Sequence, residues 1–170
     1  VAGEVDDGTR RRAEYSTDAS NYRVPPAVVV FPRDRDDLVA ALAAARTANA
    51  PVTMRGGGTS VAGNSIGPGV VIDASRHLNR ILDLDAEAAT ARVQPGVVLS
   101  EMQKAAAPHG LRFGPDPSTT NRATLGGMIG NNACGSPAVA PGPTAQNVVG
   151  LEAVTGDGRT VSDGPGADDA

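Results

Sequence analysis

Three consecutive glycines, Gly56-Gly57-Gly58, stand between the strand-like segment Val52–Met54 and a second strand candidate, Val70-Val71-Ile72. The full stretch runs Arg55-Gly56-Gly57-Gly58-Thr59-Ser60-Val61-Ala62-Gly63-Asn64-Ser65. Successive glycines let a backbone turn sharply and bring its N–H groups close to another group. A run of such N–H groups makes an anion-binding concavity, for which phosphate is the usual guest. Thr59, Ser60, Asn64 and Ser65 add polar groups, and Arg55 adds fixed positive charge. The functional reading is a pyrophosphate cradle; the bland one is a Gly-rich surface loop. On the first reading, Gly57→Val abolishes ligand binding while both lobes stay folded, because a branched side chain blocks the phosphate.

Two better-known phosphate motifs do not fit. Gly58, Gly63 and Ser65 approach the nucleoside-triphosphate loop pattern, but Asn64 stands where its lysine is required. The dinucleotide fingerprint starting at Gly56 fails because Val61 occupies its sixth position.

The flanking segments predict alternating strands and helices. Val28-Val29-Val30-Phe31, between Pro25-Pro26 and Pro32, suits a strand buried on both faces. Asp34 is placed to cap a helix, with Asp36 and Asp37 in its first turn and Pro51 just beyond its end. Val52–Met54 completes a strand–helix–strand unit, and Val70–Asp73 adds another strand. Ile81–Leu84 and Thr90–Val93 read as a hairpin. A second helix begins at Val98 or Ser100 and ends at Pro108 and Gly110. Val148–Thr155 reads as a strand, with a return at Arg159–Val161.

Two further stretches are rich in Gly, Pro and small polar residues. One contains Pro115, Asp116 and Ser118. The other contains Thr124, Gly126, Gly127, Gly130, Asn131, Asn132 and Gly135. Small residues permit close approach to a flat ligand, and the two asparagines offer donors and acceptors to a heterocycle or ribose. Either stretch also reads as a tight turn packed on its own lobe. Three such stretches in 170 residues favour a nucleotide cofactor.

Composition narrows the classes further. A net charge of −4 argues against a nucleic-acid partner. No apolar run approaches membrane-spanning length, and no signal peptide is expected, since no positively charged segment followed by an apolar stretch stands at the start. Cys134 is the only cysteine, so no internal disulfide forms, and a cytoplasmic setting is expected. His77 and His109 lack neighbours at ligand spacing, so no metal site is expected. Neither histidine is nominated as a catalytic base, Cys134 reads as a small packing residue, and no catalytic residue is assigned.

In order and spacing these stretches resemble the FAD-binding domain of the vanillyl-alcohol-oxidase superfamily. The likeness is greatest to the D-lactate dehydrogenase and glycolate oxidase flavin-subunit family. It is carried by Tyr15-Ser16-Thr17-Asp18, Arg55–Ser60, Gly69–Asp73, Pro95-Gly96-Val97, Pro115–Ser118, Thr124–Gly127, Asn132–Gly135 and Asn147–Leu151. The resemblance implies an α/β fold of two small subdomains with FAD in the seam. It implies that Arg55–Ser65 holds the pyrophosphate and that Pro115–Ser118 and Gly126–Gly135 line the rest of the cofactor. It also implies oxidation of a 2-hydroxy acid to the 2-oxo acid, with hydride passing to FAD. Thr59 and Ser60 stand where some members carry a flavin-linked histidine, so non-covalent FAD is expected.

The expected organisation is a polar arm over 1–23, with Arg10-Arg11-Arg12 solvated. An FAD-binding domain follows over 24–162, with lobes at about 24–84 and 85–162, and then a linker over 163–170. The rest of the flavin domain and a substrate-capping domain are expected to follow in a longer chain. An iron–sulfur domain or subunit is a possible partner, as is a peripheral membrane association in a larger complex. Ser136, Pro137, Ala138, Pro141, Gly142 and Gln146 depart from the family's usual pattern. A non-catalytic flavin or nucleotide module, or a segment too incomplete to bind FAD alone, therefore stay open as alternatives.

Overall fold

The computed structural model describes residues 1–135 and 142–164. The first lobe is a four-stranded sheet in the order β1-β2-β4-β3, formed by Glu4–Asp6, Val28–Phe31, Val70–Asp73 and Val52–Arg55 respectively. Strands β2, β4 and β3 run parallel, in a register that aligns Val28 and Val52 with Val70. The strand–helix–strand unit forms as expected, but β4 lies between its two strands. All four residues of β4 are buried, which explains the unbroken apolar run at Val70–Ile72.

Side chains alternate across the sheet. Val30, Val70 and Ile72 face helix α2 (Arg35–Thr47) and pack with Ala41, Leu42 and Ala45. Val29, Phe31 and Val71 point to the opposite face and are fully buried. Asp34 caps α2, its carboxylate accepting the Asp37 N–H at 2.8 Å. Asp34→Ala should therefore cost about 1 kcal/mol. The effect is read as a lower thermal midpoint with faster amide exchange in the first turn of α2.

The face opposite α2 is covered by the segment expected to be a polar arm. Glu4–Asp6 forms edge strand β1, antiparallel to β2. Helix α1 (Thr9–Glu14) follows. The Tyr15 ring meets Phe31 edge-on, with centroids 5.7 Å apart. Asp37 holds the start of the chain, accepting from Ala2 N at 2.5 Å and Arg33 N at 3.0 Å. Arg10 is solvated, but its neighbours are not. Arg11 pairs with Asp6 and Glu14 and lies 5.2 Å over Phe31, and Arg12 donates to the Pro26 carbonyl. A three-residue strand tied on by backbone bonds leaves no apolar periodicity to read.

The second lobe is built on helix α3 (Leu99–Ala106) and helix α4 (Leu125–Gly130). Val97, Leu99, Met102, Ala106, Ala123, Leu125 and Met128 form its core. The hairpin of β5 (Ile81–Asp85) and β6 (Thr90–Val93) presents Ile81, Leu84 and Val93 to this core. The second lobe thus begins near Ile81. Strand β7 is shorter than expected, Leu151–Val154, because a 3₁₀ turn occupies Thr144–Asn147. Strand β8 (Thr160–Asp163) pairs with it. This last hairpin sits on α2 of the first lobe rather than in the second. Val154 packs against the first core, and Arg46 donates to the Gly156 carbonyl.

Candidate functional site

The Gly loop leaves the C-terminal end of β3, the edge of a parallel sheet where ligands commonly sit. Its glycines serve two different needs. A Cβ on Gly56 would lie 2.0 Å from Thr124 Oγ1, and one on Gly57 would lie 2.0 Å from the Arg122 carbonyl oxygen. These two glycines therefore let the loop press directly onto the second lobe. Gly58 and Gly63 adopt φ of 64° and 80°, so the chain turns there in the left-handed region. Among the described residues, the backbone N–H groups of Gly57, Gly58, Thr59 and Ser60 find no acceptor in the chain. Four successive unsatisfied donors around a left-handed turn have the chemistry of an anion cradle.

The polar side chains of the loop mostly shape it. Ser60 Oγ accepts from Ala62 N and Asn64 N. Arg55 does not reach outward. Its Nη1 donates to the carbonyls of Thr17 at 2.9 Å and Ser65 at 3.1 Å, and its guanidinium stacks 4.9 Å over the Tyr15 ring. Its charge still lies beneath Gly58. Tyr15 donates its hydroxyl to Asp73 Oδ2 at 2.6 Å. Burial, reinforced by the Asp73 carboxylate, pushes the phenol well above its usual pKa, so it stays a donor. Ser65 donates to Asp18 Oδ2 at 2.9 Å. Burial would raise the Asp18 pKa, but hydrogen bonds from Ser20 and Ser65 outweigh it and hold the value below the usual carboxylate range.

The other two stretches close the same surface. Thr124 caps α4, accepting from Gly127 N at 3.4 Å. Gly126 abuts Pro95, where a Cβ would be 2.6 Å from the proline Cβ. Gly130 has open space around it. Asn131 accepts from Asn64 across the seam at 2.7 Å and donates to the Gly127 carbonyl. Asn132, at φ 46°, accepts from Ala145 N. Gly135 packs onto the Asp116 carbonyl, while Asp116 accepts from Thr120 Oγ1 at 2.6 Å and pairs with Arg112 at 3.3 Å. Pro115 is buried and Ser118 exposed. The structure thus joins the first stretch to the third at Gly56, Gly57 and Asn64, and the second to the third at Gly135.

Sequence reasoning missed the helix at Leu125–Gly130 and left Tyr15, Asp18 and Asp73 without a role at the site. The signal for the first two was present in Tyr15-Ser16-Thr17-Asp18. Cys134 is exposed rather than packed. His77 and His109 are exposed. Ser136, Pro137, Ala138 and Pro141 lie outside the described residues, as do residues 165–170. Gln146 lies in the 3₁₀ turn beside Gly142. Among the described residues no helix is long and apolar enough to cross a membrane, and no three His, Cys, Asp or Glu side chains cluster to hold a metal ion.

An unsatisfied N–H loop at the end of a parallel strand, seated on a Gly-rich helix start in a second lobe, defines a dinucleotide-cofactor domain. The chain belongs to the FAD binding domain family, which it matches over residues 26–164. It is 44% identical over 146 residues to a D-2-hydroxyglutarate dehydrogenase of Pantoea ananatis, an alignment covering 84% of this chain and 14% of that protein. It is 35% identical over 161 residues to the glycolate oxidase subunit GlcD of Bacillus subtilis, covering 94% and 34%. It is 38% identical over 139 residues to a D-lactate dehydrogenase of Archaeoglobus fulgidus, covering 81% and 31%. The chain spans about a seventh to a third of the length of these relatives.

The fold is similar to that of one part of 6-hydroxy-D-nicotine oxidase from Arthrobacter nicotinovorans. The TM-score is 0.83 at 23% identity, over 99% of this chain and 36% of that one. Physcomitrella patens BBE-like 1 gives 0.84 at 21%, over 96% and 36%. These likenesses concern the fold alone, and the α/β fold expected from the sequence is the one found. The N–H cradle fits FAD, whose pyrophosphate needs such donors.

Proposed function

We propose that this chain is the FAD-binding part of a longer flavin-dependent oxidoreductase. That enzyme oxidises a 2-hydroxy acid of the D-2-hydroxyglutarate, D-lactate or glycolate type to the 2-oxo acid. The observation that carries the reading is the run of unsatisfied N–H groups at Gly57–Ser60, pressed between the two lobes. Bound FAD would supply the acceptor for the hydride removed from the hydroxyl-bearing carbon. This chain's residues bind and orient the cofactor. Gly57, Gly58, Thr59 and Ser60 donate to the pyrophosphate, with the Arg55 charge beneath them. Asn64, Asn131 and Gly130 flank the seam, and Pro115–Ser118 with Gly126–Gly135 line the remainder. No histidine lies in the loop, so the flavin is held without a covalent bond. The proton-abstracting base and the contacts to the substrate carboxylate belong to a capping domain of the longer protein. A cytoplasmic setting and an iron–sulfur domain or subunit as electron partner are parts of the same proposal.

The test is an absorption spectrum of the full-length protein after extensive desalting. Flavin bands should travel with the folded protein and leave it completely on denaturation. Anaerobic addition of D-2-hydroxyglutarate, D-lactate or glycolate should then bleach the flavin bands with one of them. Protein that folds without retaining or taking up FAD would sink the cofactor reading. Bound FAD that no 2-hydroxy acid reduces would sink the substrate class.

A further inference from the structure

The family match begins at residue 26, yet the Gly loop is anchored by residues that precede it. Three consecutive residues, Thr17, Asp18 and Ala19, touch both shoulders of the loop. Ala19 N donates to the Gly58 carbonyl at 3.2 Å. The Thr17 carbonyl accepts from Arg55 at 2.9 Å. Asp18 Oδ2 accepts from Ser65 Oγ at 2.9 Å, with Ser65 N at 3.4 Å, and its Oδ1 accepts from Ser20 N. Arg55 closes the ring by donating to the Ser65 carbonyl at 3.1 Å.

We infer that Thr17–Ala19 is a strap that sets the shape of the phosphate cradle, with Asp18 as its positioning residue. The inference rests on the FAD reading above. The cradle is Gly-rich, so ordering its backbone costs more entropy than ordering any other sequence. A loop held in its binding shape before the ligand arrives binds more tightly, because less ordering remains to be done on binding. The strap supplies that order. It fixes Gly58, where the backbone turns into the left-handed region, and Ser65, where the loop ends. Between them lie the Thr59 and Ser60 N–H groups that have no acceptor in the chain. Asp18 reaches no free donor of the cradle itself; it acts through Ser65. A carboxylate suits this position because it takes both Ser65 donors on one oxygen and leaves the other for Ser20.

The test uses the full-length protein stripped of flavin. Asp18→Ala, Asp18→Asn and Ser65→Ala are compared with the parent for FAD and ADP affinity and for amide exchange across residues 56–65. Asp18→Ala should weaken both ligands on the order of tenfold and speed exchange within the loop, while exchange in β2 and β4 stays at the parent's rate. Asp18→Asn, which still accepts from Ser65, should recover part of the loss. The double variant Asp18→Ala/Ser65→Ala should be no worse than the more affected single variant, because both act through one contact. FAD and ADP affinities within twofold of the parent for Asp18→Ala would overturn the strap. So would a loss that extends to the exchange of β2 and β4, which marks general destabilisation. A parent that binds neither FAD nor ADP overturns the cofactor reading and the strap's role with it. A parent that binds both beside an unaffected Asp18→Ala removes the strap alone.

Discussion

Gly57→Val is expected to abolish FAD binding and to loosen the two lobes from each other. A Cβ at this position would lie 2.0 Å from the Arg122 carbonyl oxygen and 2.9 Å from its carbonyl carbon. Both atoms are backbone and cannot swing aside. The loop or the Arg122–Thr124 segment must move, at a cost of about 3 kcal/mol. This differs from the expectation that the side chain would merely block the phosphate of an otherwise intact domain. The glycine is needed first for contact between protein segments. FAD titration should show binding weakened by at least about a hundredfold, and the thermal midpoint should fall as well. Gly130→Ala is the paired control for stability alone, because no protein atom lies within 4 Å of its Cβ position. That variant should hold or raise the thermal midpoint, since alanine favours a helix over glycine by about 1 kcal/mol. Full FAD affinity in Gly57→Val would refute the seating of the loop on the second lobe.

Asp73→Ala should destabilise the first lobe by about 3–5 kcal/mol. Asp73 is 4% exposed at the end of the central strand. It accepts from Tyr15 Oη at 2.6 Å, Ser75 N at 2.7 Å and Ser75 Oγ at 2.6 Å. Alanine leaves all three donors without their partner. It also frees Tyr15, on whose ring the Arg55 guanidinium rests. The damage should therefore spread from the sheet to the Gly loop, and FAD affinity should fall along with stability. Asp73→Asn keeps one acceptor oxygen and should lose less than half as much. Denaturant unfolding followed by loop amide exchange separates the two effects. An Asp73→Ala protein as stable as its parent would show that this network contributes nothing to the fold.

What was legible in the sequence followed from periodicity and caps. Val28–Phe31, the Asp34-capped helix, Val70–Asp73 and the hairpin around Asp85–Ala89 each carry a local signature. Strand β1 carries none: Glu4 and Asp6 are charged, Val5 is exposed, and the strand is held by backbone bonds to β2 and by the grip of Asp37 on Ala2. Helix α4 was hidden for the opposite reason. Its glycines argue against a helix, but the Thr124 cap and the burial of Leu125 and Met128 override that propensity. At the site, the Gly-rich stretches announced close approach without saying to what. Gly56 and Gly57 approach Thr124 and Arg122, and Gly135 approaches Asp116, all within the protein. The role of Asp18 could not be read locally, because its partner Ser65 is 47 residues away.

The place of β4 between β2 and β3 has a consequence for how the molecule is made. The sheet's central strand is the last of the four to leave the ribosome. Until Val70–Asp73 emerges, β3 has no strand to pair with, β2 has only the short edge strand β1, and α2 has only part of its buried surface. The Gly loop is the connection that must close when β4 slots in. The Gly loop is therefore tied down at both ends in the same event that completes the sheet, and its seat on Arg122 and Thr124 follows when the second lobe emerges.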